Sequence, residues 1–376
     1  MVADPTDLTS AVDGDSECGS MRVTNSELRY IGSDHWSAIL ENIADLKDHF
    51  NQGERRVTDS IVDYSDSELA SGLPPNDHAL LLYGCGRASR SEILDALPPR
   101  STVDRYISRY LNQLELVASS VVHGPSFYET FWTNPSEAPI VWIGFLFSMI
   151  SLAILASRPS DFMHGHGAEQ QSIQIDLYRE KIVQCLTTGE YTNSGPFVLE
   201  TLINYIYVEF GIRKDANKDV WFLLALEVNL AMQMGYHRDP QHFPDISPLQ
   251  GEMRRRIWAT VLMSDILISS QMGMPRITKE WQCDTDEPRN LNETDLSETT
   301  TSLPQARPET EHTTTLGIIA RRRMLAALGK ISDITDAAIP IPEKHALKPV
   351  WEQFKFSVSS KKRPIQVAGF IRSAGG

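Results

Sequence analysis

The chain has 376 residues, of which 41% are hydrophobic, and it carries a formal net charge of -14. This length and composition suffice for one large or two medium domains with a sizeable core. Residues 1–80 hold 16 acidic and 5 basic residues, a net charge of -11, so the remaining 296 residues carry only -3. Because phosphate contacts need an excess of lysine and arginine on one surface, this balance argues against direct nucleic-acid binding by the body of the chain.

The cysteine pattern argues against two kinds of site. Cys18, Cys85, Cys185 and Cys283 are far apart, and none forms part of a CxxC pair. This spacing predicts neither a disulfide framework nor a zinc site, and reduced thiols in an intracellular compartment are expected. The first ten residues are acidic and lack an apolar core, so they do not predict a secretory signal.

Residues 1–95 are predicted to form an acidic, mostly disordered N-terminal region. They are rich in Asp, Ser and Gly, and one modest helix is predicted near residues 35–50. A tail of this composition is commonly only solubilising. The alternative is an activation segment that binds a partner protein.

Apolar residues recur at helical spacing through the middle of the chain, whereas alternating strand patterns are scarce. The predicted fold class is therefore all-α, a multi-helix domain. The predicted helices span residues 102–121, 138–157, 170–187, 196–212, 220–234, 248–271 and 316–338. Residues 292–315 are rich in Thr, Ser and Glu and are predicted to be a disordered low-complexity loop.

The helix predicted at residues 138–157 contains no charged residue and is long enough for a membrane span. A core helix in an all-helical domain is the favoured interpretation. Glu137 and Arg158 flank the segment symmetrically, polar residues such as Ser148 and Ser151 lie inside it, and no second span exists.

The sequence of residues 230–275 predicts the turn between two helices and most of the second helix. The first helix, at residues 220–234, is apolar nearly all round and must be buried on most sides. Gly235 suits the left-handed cap that ends a helix, while Ser247 and Pro248 suit the N-cap and first position of the next. In that second helix Glu252 lies four residues before Arg256, a spacing that favours an ion pair.

Asp265 falls inside the apolar stripe of the second helix. A buried carboxylate needs a partner, because desolvating an unpaired charge is costly. The hypothesis is that Arg238 or Arg276, each near a helix end, pairs with it. Asp265, Arg238, Arg276, Glu252 and Arg256 are thus candidates for structural ion pairs, and the sequence predicts no catalytic, cofactor-binding or metal-binding residue.

Features that could support enzymatic chemistry are sparse. Residues 161–166 (DFMHGH) contain an aspartate and two histidines, but their spacing does not match a helical metal-binding pair, and a mobile loop is expected. His237 could serve as a base, and the favoured interpretation is that it packs or caps beside Gly235. No GxSxG, GxGxxG or P-loop motif occurs, so the chain is not predicted to be an enzyme.

The stretch at residues 230–275 resembles the middle homology region of fungal-specific transcription factors, a regulatory domain that usually follows a binuclear zinc-cluster module. The matching segments are HRDP (237–240), MRRRIW (253–258), Asp265, GMP (273–275) and CDTDEPRN (283–290). Upstream, LPPR (97–100), GPSFY (124–128) and the FW pair (131–132) are also similar to the start of that region. Two departures are Met274, where the family commonly has arginine, and Ala259, where a second tryptophan is common.

This resemblance implies a helical regulatory domain at residues 96–338, followed by an irregular tail at residues 339–376 that suggests truncation. It implies a nuclear transcription regulator that controls a metabolic or secondary-metabolite gene set. Its expected partners are other transcription regulators or a homo- or heterodimer partner, with a small effector as a further candidate ligand and no membrane.

The family's zinc cluster requires six closely spaced cysteines, which this sequence lacks. Zinc is therefore expected only in a full-length family member, and DNA contact only indirectly or through a missing N-terminal module. Either that module was lost or the gene model begins downstream of it. The alternatives are a truncated or partner-dependent helical scaffold or, less favoured, an enzyme of unknown class.

Overall fold

The computed structural model describes residues 20–24, 27–31, 85–113, 121–127, 137–157, 167–212 and 218–335. The helix predicted near residues 35–50, the histidine-containing segment 161–166 and the tail 339–376 lie outside these described residues.

Helices dominate the described part of the chain, which confirms the predicted all-α class. They are α1 (Arg90–Asp95), α2 (Arg100–Gln113), α3 (Ile140–Leu155), α4 (Gly167–Thr188), α5 (Val198–Ile212), α6 (Lys218–Gln233), α7 (Pro248–Met272) and α8 (Leu316–Thr335). The starts of α2 to α8 and the ends of α3 to α7 lie within three residues of the predicted positions.

A short β-hairpin that the sequence analysis did not predict precedes the helices. Its strands, β1 (Ser20–Thr24) and β2 (Glu27–Ile31), pair antiparallel, with Met21 opposite Tyr30. β2 lies beside α6. Each strand has only five residues, and runs this short are hard to recognise within an acidic, polar region.

Helix α3 is the centre of the fold, because α2, α4 and α5 all pack against it. Every residue from Val141 to Ile154 is buried, which confirms the core-helix interpretation of this uncharged segment. No described helix is both long and apolar enough to cross a membrane. The close approach of α3 to α4 depends on Gly144, where a side-chain Cβ would lie 2.6 Å from the Cβ of Cys185.

Helices α6, α7 and α8 extend the fold on one side of α5. α6 packs against α5 and α7, and α7 packs against α8. Gly235, after the end of α6, and Gly273, at the end of α7, have φ angles of 71° and 62°, the left-handed conformation that favours glycine. The Ser247 hydroxyl and the Gln250 side chain form a capping box at the start of α7, and Pro248 occupies its first turn.

The segment between α7 and α8 is ordered, so the prediction of a disordered loop at residues 292–315 is wrong. Arg307 donates to Asp295 at 2.7 Å, and its backbone N–H donates to the carbonyl oxygen of Asn290 at 2.9 Å. The Arg289 guanidinium donates to the carbonyl oxygens of Leu303 and Pro304 at 3.1 and 2.9 Å. The low apolar content suggested disorder, but polar side chains bind the backbone of this loop instead.

Candidate functional site

Asp239, in the turn between α6 and α7, is the centre of a buried polar cluster. Its carboxylate is fully buried and accepts two hydrogen bonds from Arg255, from Nε at 2.9 Å and from Nη2 at 2.7 Å. It also accepts from the backbone N–H groups of Gln241 and Asp286, both at 2.9 Å. A bidentate arginine with two backbone donors satisfies a buried carboxylate well, so this one side chain fixes the turn, α7 and the later loop together.

Asp284 joins the same turn from the loop that follows α7. Its carboxylate accepts from the backbone N–H of Asp239 at 2.9 Å, and Nη1 of Arg238 and Nε2 of His242 lie 3.4 and 3.1 Å away. In return, the backbone N–H of Asp284 donates to the carbonyl oxygen of His237 at 3.1 Å. The loop therefore lies directly against the turn between α6 and α7.

Glu252 and Arg256 form the predicted ion pair on α7. Nε of Arg256 lies 3.2 Å from Oε1 of Glu252, and both side chains are 0% exposed. Burial raises the pKa of Glu252 even though Arg256 and the backbone N–H of Arg289 act to lower it. Since that N–H donates to Glu252 at 3.1 Å, the pair also holds the loop after α7. We call Asp239, Asp284, Arg255, Glu252 and Arg256 the ion-pair network.

The three consecutive arginines of α7 are all buried and engaged. Arg255 and Arg256 belong to the ion-pair network, and Arg254 lies over the ring of Tyr236 with 4.1 Å between its guanidinium carbon and the ring centre. Arg254 also donates to the carbonyl oxygen of Met234 at 2.6 Å. None of the three is available to phosphate groups at the surface, so this triplet is not a nucleic-acid contact.

The hypothesis that Arg238 or Arg276 pairs with Asp265 is wrong. Asp265 is fully buried, as predicted, but it forms no ion pair with any described residue. Its carboxyl group instead accepts from the backbone N–H groups of Ile277 and Thr278, at 3.1 and 2.7 Å. The Thr278 hydroxyl also donates to it, as does the Ser269 hydroxyl at 3.1 Å.

The two arginines contact other acids. The prediction failed because a position near a helix end does not reveal the direction of its side chain. Arg238 lies beside Asp284, as described above. Arg276 extends to α8, where Nε lies 3.3 Å from Oδ1 of Asp333 and Nη2 also contacts that carboxylate. Lys279 lies 2.9 Å from the same aspartate. The segment after α7 is thereby fixed to the end of α8.

Glu227 is a second buried acid, which the sequence analysis did not single out. It lies on α6, is fully buried, and has a pKa well above its usual range. Burial is the main cause, the nearby Asp265 adds to it, and the Ser264 hydroxyl offsets only part of the shift. This carboxyl group is therefore costly to ionise in the folded protein.

Replacing Glu227 with glutamine is expected to stabilise the protein above pH 4.5 or so. An acid whose pKa is raised by folding holds its proton more tightly in the folded state, so stability falls as pH rises from the unfolded pKa toward the folded one. Glutamine removes that loss. Urea unfolding at pH 4.5 and pH 7.5 should show little gain at the lower pH. At the higher pH the gain should exceed about 0.5 kcal/mol, the scatter of surface substitutions.

The matched control for this prediction is Glu298→Gln, which makes the same substitution at an exposed position. It should leave the free energy of unfolding nearly unchanged at both pH values. Equal effects of the two substitutions at pH 7.5, or a loss of stability with Glu227→Gln, would contradict the assignment.

The structure gives no support to the alternative of a catalytic His237. Burial, followed by the neighbouring charge of Arg238, lowers the pKa of His237 to about 4. Its ring lies 6.3 Å from that of Trp258, which matches the packing interpretation. Within the described ranges, no group of three or more His, Cys, Asp or Glu residues could hold a metal ion.

Several residues of the site escaped prediction, namely Asp239, Arg255, Asp284, Asp333 and Glu227. Asp239 carried a local signal, since aspartate before proline often caps a helical turn, and its side chain does accept from the Gln241 N–H. Its partner Arg255 is 16 positions away in sequence, beyond a turn. Helical periodicity predicts contacts only within one helix, so it could not identify this pair.

Comparison with known proteins gives a consistent result. The profile of the family described as "Fungal specific transcription factor domain" matches residues 103–334. The Zn(2)-C6 fungal-type transcription factor mpsB of Macrophomina phaseolina is 39% identical over 354 residues, which cover 90% of this chain and 46% of mpsB.

Two further relatives have similar coverage. The pyrrolocin cluster transcription factor fsdR of Fungal sp. (strain NRRL 50135) is 42% identical and is matched over 88% of this chain and 43% of its own length. The equisetin cluster transcription factor eqxF of Fusarium heterosporum is 39% identical, over 89% of this chain and 48% of its own. The chain thus spans a little under half the length of these relatives. No solved structure matches it.

Proposed function

The chain belongs to the fungal-specific transcription factor domain family, and we propose that it is the regulatory region of a nuclear transcription regulator of a secondary-metabolite gene set. Two relatives are named as transcription factors of the pyrrolocin and equisetin clusters, which supports regulation of one gene cluster rather than of general metabolism. The family and its relatives carry the names of transcription factors and not of enzymes.

The observation that carries this proposal is the burial of the three consecutive arginines of α7 within the fold. A basic triplet in a DNA-contacting protein would face phosphate groups, whereas here Arg254, Arg255 and Arg256 are no more than 8% exposed and serve the fold. The family signature is therefore a folding signature. Regulation by this domain acts through protein partners, which are other regulators or a second copy of this chain, and DNA is reached indirectly or through a zinc-cluster module outside residues 1–376. A small effector bound among the helices is a further candidate ligand.

A transcript measurement in the cells that carry the gene tests this function. Deletion of the gene, followed by complementation with the intact chain or with an Asp239→Ala variant, should be compared by RNA sequencing. We expect several-fold changes in a contiguous group of biosynthetic genes, restored by the intact chain and by a Glu298→Gln control but not by Asp239→Ala. Unchanged transcripts after deletion would refute a regulatory role.

A further inference from the structure

One end of the described fold is formed by the last turns of α8 and the short 3-10 helix Glu280–Gln282. Ion pairs hold these two segments together, since Lys330 lies 3.3 Å from Glu280 and Lys279 lies 2.9 Å from Asp333. These two ion pairs show that the 3-10 helix and the last turns of α8 adjoin each other.

This end of the fold exposes large apolar side chains. Trp281 is 82% exposed, and Ile331, Leu328 and Met274 are 43%, 41% and 40% exposed. Leu328 and Ile331 are three residues apart on α8 and therefore share a face of the helix. Single exposed apolar residues are ordinary, but three on two adjoining segments, with Met274 on the chain that leads into one of them, are typical of a surface that another element covers.

We propose that a segment of the same chain, residues 347–354, docks on this end. The last described residue of α8 is Thr335, two positions after Asp333, so the 41 residues from 336 to 376 follow the end of α8 that carries Leu328 and Ile331. Within them, Pro349 suits the first position of a helix, and Val350, Trp351 and Phe354 follow it at positions i, i+1 and i+4. That spacing is typical of an amphipathic helix with one apolar face.

The intervening chain is long enough to permit this docking. The eleven residues from 336 to 346 can span about 36 Å when extended, whereas the 20 residues of α8 form a helix about 30 Å long. The apolar helix can therefore reach any point along α8 or the turn that carries Trp281. A short tether also gives an effective concentration in the millimolar range, which favours this segment over a second copy of the chain.

Photo-crosslinking in the full chain tests the proposal directly. Trp281→p-benzoylphenylalanine and, separately, Ile331→p-benzoylphenylalanine are irradiated, and the crosslinked peptides are identified by mass spectrometry. We expect products of monomer size in which position 281 or 331 is joined to a peptide from residues 336–356. The matched control is Ile173→p-benzoylphenylalanine, because Ile173 is 65% exposed on α4, a helix that packs mainly on α3 and α5.

A second substitution separates docking from chance proximity. Trp351→Ser combined with Phe354→Ser should reduce the yield of the 281 and 331 products at least fivefold while the far-ultraviolet circular dichroism of the chain stays unchanged. The proposal is overturned if the crosslinks join two copies of the chain, if they fail to reach residues 336–356, or if the double substitution leaves their yield unchanged.

Discussion

Asp239→Ala is expected to lower the free energy of unfolding by about 3 to 5 kcal/mol, the range seen when one partner of a buried ion pair is removed. The substitution leaves Arg255, a residue that is only 8% exposed, without the bidentate acceptor of its guanidinium. It also leaves the backbone N–H groups of Gln241 and Asp286 without theirs. Urea unfolding monitored by circular dichroism at pH 7 measures the difference.

The matched control is Asp104→Ala, which removes the acid of an exposed pair with Arg100 on α2. That pair has a separation of 3.9 Å and side chains that are 67% and 45% exposed, so its loss should cost less than about 1 kcal/mol. If the two substitutions cost the same, then the ion-pair network does not stabilise the turn between α6 and α7.

The pH dependence of Asp239 adds an independent check. Burial alone would raise the pKa of this carboxyl, but the hydrogen bonds from Arg255 and from the N–H groups of Gln241 and Asp286 bring it below the usual 3.8. A depressed pKa stabilises the folded state above the unfolded pKa, and this stability is lost as pH falls through the folded pKa. The stability difference between the natural chain and Asp239→Asn should therefore be constant above about pH 5 and shrink below about pH 4.

The parts of the fold that sequence reasoning predicted are those that depend on neighbours in sequence. Gly235, Ser247, Pro248 and Gly273 mark helix ends because backbone conformation and capping are decided within one turn of helix. The pair of Glu252 with Arg256 was predictable for the same reason. The uncharged core helix α3 was predictable because apolar residues cover its whole circumference.

The contacts that sequence reasoning missed are made between distant segments. The need of Asp265 for a partner was evident, but its partners are backbone N–H groups of Ile277 and Thr278, which no residue type reveals. Asp284 reaches Asp239 from 45 positions away. Order in the loop at residues 292–315 also comes from such contacts, since Arg289 and Arg307 bind its backbone and side chains.

Asp265→Ala should cost about 3 kcal/mol, because it leaves the backbone donors of Ile277 and Thr278 unpaired and each such buried group costs about 1 to 3 kcal/mol. Loss of these bonds frees the segment that carries Arg276 and Lys279, the two residues bound to Asp333 of α8. We therefore expect faster amide hydrogen exchange in residues 276–279 and in the last turns of α8. Asp265→Asn keeps one acceptor oxygen and should cost less than the alanine variant.

A double-mutant cycle separates the two roles of Asp265, as a hydrogen-bond acceptor and as a charge near Glu227. Asp265 contributes to the raised pKa of Glu227, so Glu227→Gln should stabilise the Asp265→Asn protein less than it stabilises the natural chain at pH 7.5. Independent sites would give effects that add within about 0.5 kcal/mol. Additivity of these two substitutions would show that Glu227 is held neutral by burial alone. A smaller gain in the Asp265→Asn background would show that Asp265 on α7 adds to burial in raising the pKa of Glu227 on α6.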